Sequence, residues 1–177
     1  MHESDSNRRR LLARLKMLVG DWTEQVGLPG VPAGLMSFQW TLDGQFLLQR
    51  SEIPDPSLPD SVAIIAVAAE AGGYTQHYFD SRGVVRTYAM TLDEQKWTLL
   101  RDQPDFTPLN FSQRFTGTFD AHGTSITATW ESSDDGEHWR KDFDLTYTRR
   151  RGTSRRPRAA KGMTSHEHRP IRDQHVP

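Results

Sequence analysis

The chain has 177 residues, of which 35% are hydrophobic, and this suits one domain with tails. It contains no cysteine, which excludes a disulfide framework, a thiolate nucleophile and a Cys-bearing metal site. A formal net charge of −1 hides an asymmetry: residues 17–148 carry eight Lys/Arg against nineteen Asp/Glu, and residues 149–177 carry nine against two, so the acidic body is unsuited to a nucleic-acid-binding surface.

Residues 1–6 are expected to be a flexible N-terminus. Residues 7–19 predict a short helix: Leu11, Leu12, Leu15, Leu18 and Val19 fall at helical spacing, with Arg8, Arg9, Arg14 and Lys16 opposite. Its leucine stripe is expected to pack across one end of the body. Arg14 and Lys16 interrupt the apolar run, so neither a signal-peptide core nor a membrane span is predicted. The resulting expectation is a soluble cytoplasmic protein.

From Gly20 the period changes to two. Residues 20–26 predict a first strand, and the Pro/Gly-rich stretch 28–34 a loop. Met36, Phe38, Trp40 and Leu42 alternate with polar residues, and Asp43-Gly44 is a strong hairpin turn. On the return strand Phe46, Leu48 and Arg50 share one parity. Residues 62–68 form a continuous apolar strand, expected to be covered on both faces. Further alternating stretches follow at 96–101, 111–119, 125–130 and 139–147, separated by turns such as His122-Gly123 and Asp135-Gly136. Residues 151–177 have no periodicity and are expected to be a disordered basic tail.

Residues 73–90 are the most informative stretch. Asp80-Ser81-Arg82-Gly83 reads as a type I turn with Gly83 left-handed, giving a bulged hairpin. That register sets Tyr78 opposite Arg86 and Gln76 opposite Tyr88. One face then holds Tyr74, Gln76, Tyr78, Val84, Arg86, Tyr88 and Met90, and the other holds His77 and Phe79. A two-residue loop would instead bring His77 opposite Arg86. A face of phenols, an amide and a guanidinium is a poor plain core, because each buried polar group needs a partner.

About ten strands joined by short turns after one helix predict a mainly β fold: a single closed antiparallel up-and-down barrel over residues 7–150. Barrels of this size enclose small ligands. The residues at several strands carry a resemblance as well. Leu18-Val19-Gly20-Asp21-Trp22 resembles the Gly-x-Trp start of calycins, the lipocalin and fatty-acid-binding superfamily. Tyr74 to Gly83, Pro104 to Leu109 and Asp142 to Tyr147 resemble a bacterial lipocalin-like family, the domain-of-unknown-function 1579 family. The resemblance implies a calycin-like barrel with a small-molecule cavity, and brings no established ligand or reaction. A weaker similarity is to nitrobindin-type haem barrels, which ligate iron through a late histidine. His138 is the late histidine of this body, and its alternation with Trp139 points it outward.

Arg86 is the leading candidate for chemistry, an inward guanidinium beside Tyr78 and Tyr88. Arg50 and Arg101 also fall on apolar faces by parity. A buried arginine stays charged and needs an anion or many acceptors. Arg86 therefore either grips an anionic head group with tyrosine help, as in the fatty-acid-binding barrels this chain resembles in outline, or pairs internally with Glu52 or Asp80. Gln113 is an inward amide between two phenylalanines. Trp40, Trp97, Phe115 and Trp130 are either core or cavity wall. His77 and Tyr78 are the candidate proton carriers should the barrel be an enzyme.

No metal site is expected: His166-Glu167-His168 lies in the tail and would hold a metal only weakly. No phosphate loop or Ser-His-Asp set appears, and no cofactor is expected. The tail offers unspecific electrostatics to nucleic acid or anionic lipid, without stacking aromatics. The expected partner is a hydrophobic small molecule with an anionic or polar head group. The alternatives are a cyclase, isomerase or hydratase of the same shape, nitrobindin-like haem binding, and an interaction domain with a filled core.

Overall fold

The computed structural model describes residues 2–68 and 71–151, the side chains of residues 2–4 excepted. The basic tail from residue 152 onward, with His166-Glu167-His168, lies outside the described residues.

The period-two stretches form ten strands: β1 (Gly20–Val26), β2 (Gly34–Thr41), β3 (Phe46–Glu52), β4 (Ser61–Ala68), β5 (Gly73–Asp80), β6 (Val85–Leu92), β7 (Lys96–Arg101), β8 (Ser112–Phe119), β9 (Ser125–Ser133) and β10 (Arg140–Arg149). Each pairs antiparallel with its chain neighbours, and β1 pairs with β10, so the sheet closes into a ten-stranded up-and-down barrel. Closure leaves no edge strand, so most of the backbone ladder is satisfied within the sheet itself.

Helix α1 (His2–Leu15) caps one end. It begins five residues before, and ends four residues before, the stretch expected from spacing. The chain tightens after Leu15: Met17 N–H bonds Arg14 O at 3.1 Å and Leu18 N–H bonds Leu15 O at 3.0 Å. These short-range bonds turn the last leucine inward and deliver Gly20, at φ 122°, to the first strand. Leu11, Leu15 and Leu18 are buried, as the stripe predicts. Arg149 fastens this end: it donates to Met17 O at 2.6 Å and Val19 O at 2.7 Å, and lies over the Trp22 ring at 4.1 Å. Trp22 Nε1–H and the Tyr74 hydroxyl donate to Leu18 O and Leu11 O, which ties the helix and the turn after it to the barrel.

Two faces differ from the sequence reading. In β3 the inward residues are Leu47, Gln49 and Ser51, and Arg50 is exposed. Phe46, Leu47 and Leu48 are all apolar, so alternation does not choose a parity. The Asp43-Gly44 turn chooses it: both residues are left-handed, Trp40 is set opposite Leu47, and Leu47 follows Trp40 inward. In β4 only Ala63 and Ile65 are buried, and Ile64 is exposed. Helix α1 lies over the barrel end, so no element covers the outer face of β4 among the described residues. Among the described residues, no helix is long and apolar enough to cross a membrane.

Candidate ligand-binding site

At the end remote from α1 the lumen is not filled. A cavity of about 360 Å³ is lined by residues of β1, β3 to β10 and the loops at their ends. That volume lies within the roughly 300–1,000 Å³ typical of small-molecule sites. Its mouth is bordered by Leu28, Ile53, Leu58 and Arg82.

Aromatic rings separate cavity from core. Trp97 packs against Phe38 and Phe115 at 5.8 and 4.7 Å, Phe115 against Trp130 at 5.3 Å, and Trp130 against Tyr88 at 5.6 Å. Tyr78 meets Tyr88 edge-on at 6.4 Å. Such geometries each add about 0.5–1.5 kcal/mol beyond burial. This chain of rings fixes the wall's shape. Trp97, Phe115, Trp130, Tyr88 and Tyr78 all line the cavity, whereas Trp40 packs on the core outside it.

The β5–β6 hairpin adopts the bulged register: Tyr78 pairs with Arg86 and Gln76 with Tyr88. Gly83, at φ 82°, supplies the left-handed residue, and Asp80 caps the turn by accepting from the Arg82 and Val84 N–H groups. His77 is therefore on the outer face, facing Thr87, and does not line the cavity. This removes it as a proton carrier for the lumen. The Tyr78 hydroxyl donates to Asp80 Oδ2 at 3.1 Å; burial, together with that carboxylate, pushes its phenol well above the ordinary tyrosine value. Tyr78 is thus a donor rather than a ready base.

Arg86 projects into the cavity. Its guanidinium donates to Gln113 Oε1 and stacks on Phe111 at 5.1 Å. Gln113 Oε1 also accepts from the Tyr88 hydroxyl at 3.0 Å. Neither internal ion pair open to Arg86 forms. Glu52 is exposed on the outside of β3, and Asp80 is held by Arg82 at 2.6 Å. Among the described residues, no carboxylate lies within salt-bridge distance of Arg86.

Arg101 points inward too, but does not line the cavity. It donates to Asp105 at 2.7 and 3.1 Å and to Phe111 O at 3.1 Å. Strands β6 and β7 pair only from Ala89 to Leu92, so the start of β6 lacks a neighbour on that side. Asp105 fills the gap by accepting the Thr87 N–H at 3.1 Å. These bonds, the Arg101 guanidinium foremost, hold its carboxyl far below the usual range. Arg101 is a structural cation, and Arg50 is an exposed one.

The opposite wall was not anticipated from the sequence. Glu24 of β1 is buried and lines the cavity, accepting a hydrogen bond from the Ser51 hydroxyl with the Tyr147 phenol beside it. Strand β2 lies between β1 and β3, and its residue opposite Glu24 is Gly34, which puts no side chain in the way. A Cβ there would meet Glu52 O at 2.6 Å. Burial raises the Glu24 carboxyl above its ordinary value, and the hydroxyls only partly oppose this. Among the described residues, no cation pairs with it. Elsewhere in the cavity lining Gln49 Oε1, Gln76 Oε1 and Trp97 Nε1 are buried without a partner among the described residues. A buried polar group left unpaired costs about 1–3 kcal/mol. One signal was legible: in Trp22, Glu24 and Val26 an acid occupies the apolar parity of its strand.

His138, the haem-ligand position implied by the weaker similarity, is exposed in the β9–β10 turn beside Asp135. Among the described residues no histidine lines the cavity, and no group of three metal-ligating side chains occurs. No family model matches the chain, and no curated protein matches it. The resemblance to the domain-of-unknown-function family thus draws no support from either comparison.

Proposed function

We propose that this barrel binds a hydrophobic small molecule with an anionic head group, held by Arg86 at the mouth with its apolar body against the aromatic wall. One observation carries the reading: a cavity-facing guanidinium whose protein acceptor is a neutral amide, in a lumen of about 360 Å³. A permanently charged arginine in such a place is completed by an anion, and its planar fork suits a carboxylate or phosphate. Val26, Leu99, Phe115 and Leu145 offer an apolar surface to the rest of the ligand.

The test is calorimetric titration of dodecanoate into the protein and into Arg86→Leu. The expected result is binding that weakens at least tenfold in the variant, the scale of one charge-assisted hydrogen bond. Equal affinities would remove the anion grip.

A barrel-shaped enzyme is the second reading, favoured by Glu24. A carboxyl whose pKa is raised by burial, beside a phenol, is suited to exchange a proton with a bound molecule. In that reading Glu24, rather than His77, moves the proton.

A further inference from the structure

Glu24 lies on β1 and Arg86 on β6, five strands apart in either direction around the ten-stranded barrel. They therefore face each other across the lumen. Arg86, half-buried near the start of β6, stands at the mouth, while Glu24 is buried deeper along the wall. Apart from Arg86, the free hydrogen-bonding capacity of the lining is mostly of one kind. Among the described residues the Glu24 carboxyl has no cation, and Gln49 Oε1 on β3 and Gln76 Oε1 on β5 have no donor; Trp97 Nε1 is an unpartnered donor. Gln76 is only 3% exposed, so its carbonyl has the cavity to look to and little else.

We infer that the ligand is bipolar: besides the anionic group at Arg86 it carries a hydrogen-bond donor, a hydroxyl or an ammonium, that docks against Glu24 and Gln76. This rests on the anion-binding reading and narrows it. Water filling the cavity would satisfy these acceptors, and a ligand that expels that water loses affinity unless it supplies donors in return. A plain fatty acid supplies none. Glu24 accepts from a hydroxyl as well as from an ammonium, but only an ammonium also gains from its charge.

Three probes separate these statements: dodecanoate, its ω-hydroxy derivative and its ω-amino derivative, each titrated calorimetrically into the wild type, Arg86→Leu, Glu24→Leu and Gln76→Leu. The expected result is that at least one derivative binds about tenfold tighter than dodecanoate, the scale of a hydrogen bond to a charged group. That gain disappears in Glu24→Leu and shrinks in Gln76→Leu, while dodecanoate, which then expels less firmly held water, does not bind more weakly to either. Gain for the amine alone assigns an ammonium, and gain for both assigns a generic donor. If Glu24→Leu fails to fold, as judged by its thermal melt, Gln76→Leu carries the test. Equal or weaker binding of both derivatives overturns the bipolar ligand. Dodecanoate that still responds to Arg86→Leu would then leave the anion grip standing. Absence of binding by all three probes contradicts both.

Discussion

Arg86 and Arg101 enter the same barrel from adjacent strands and flank the same glutamine, yet their surroundings differ in one respect. Arg101 has Asp105, brought in by the loop between β7 and β8, and the pair is almost fully buried. Arg86 receives from the same loop only the ring of Phe111, and a neutral amide from β8. A guanidinium matched to a buried carboxylate is part of the scaffold. A guanidinium facing open volume without one is, on the proposed reading, completed by a ligand. The two arginines are alike in sequence parity, and the placement of one aspartate separates their surroundings.

The largest expected effect breaks the matched side. Asp105→Ala leaves Arg101 charged, buried and unpaired, and orphans the Thr87 N–H. It should cost about 3–5 kcal/mol in denaturant unfolding. A loss below about 1 kcal/mol would mean that the pair is not part of the scaffold. The next effect is on acid stability. The Asp105 pKa is depressed in the folded state, so its contribution is fully present above the ordinary aspartate value of about 3.9 and is lost as pH falls below that value. Asp105→Asn should therefore be less stable than the wild type at neutral pH, with the gap closing as both are acidified.

Arg86→Leu sharpens the contrast from the unmatched side. It breaks no ion pair, so its unfolding free energy should change by less than about 1 kcal/mol, even as anion affinity falls. Glu24→Gln has a smaller effect with the opposite pH dependence to that of Asp105. The folded pKa of Glu24 is raised, so its stability contribution is present below about 4.3 and is lost as pH rises through the folded value. The variant should match the wild type only below that ordinary value and melt higher at neutral pH. Tyr78→Phe removes one hydrogen bond to Asp80 and should cost about 1 kcal/mol at most in the same unfolding assay.

How far these features were legible in the sequence follows from where each is encoded. The hairpin was readable because its turn is local: Asp80 and Gly83 specify the bulge, and the bulge specifies which of Tyr78, His77 and Arg86 face inward. The barrel was readable from alternation and short turns. Arg50 misled because the Phe46-Leu47-Leu48 run is apolar in both parities, so only pairing across to Trp40 decides its face. Asp105 looked like one of several loop acids. Its role arises from the unpaired start of β6, a feature of register that no single strand displays. Glu24 meets Ser51 across the Gly34 gap in β2, and meets Tyr147 only once β1 closes on β10.

The most direct test of the central claim is a crystal structure of the protein with dodecanoate. The account predicts the carboxylate within hydrogen-bonding distance of the Arg86 guanidinium, with the alkyl chain running over Trp130 and Phe115 into the lumen. A carboxylate elsewhere, with Arg86 still on Gln113 and the lumen free of the chain, would contradict it.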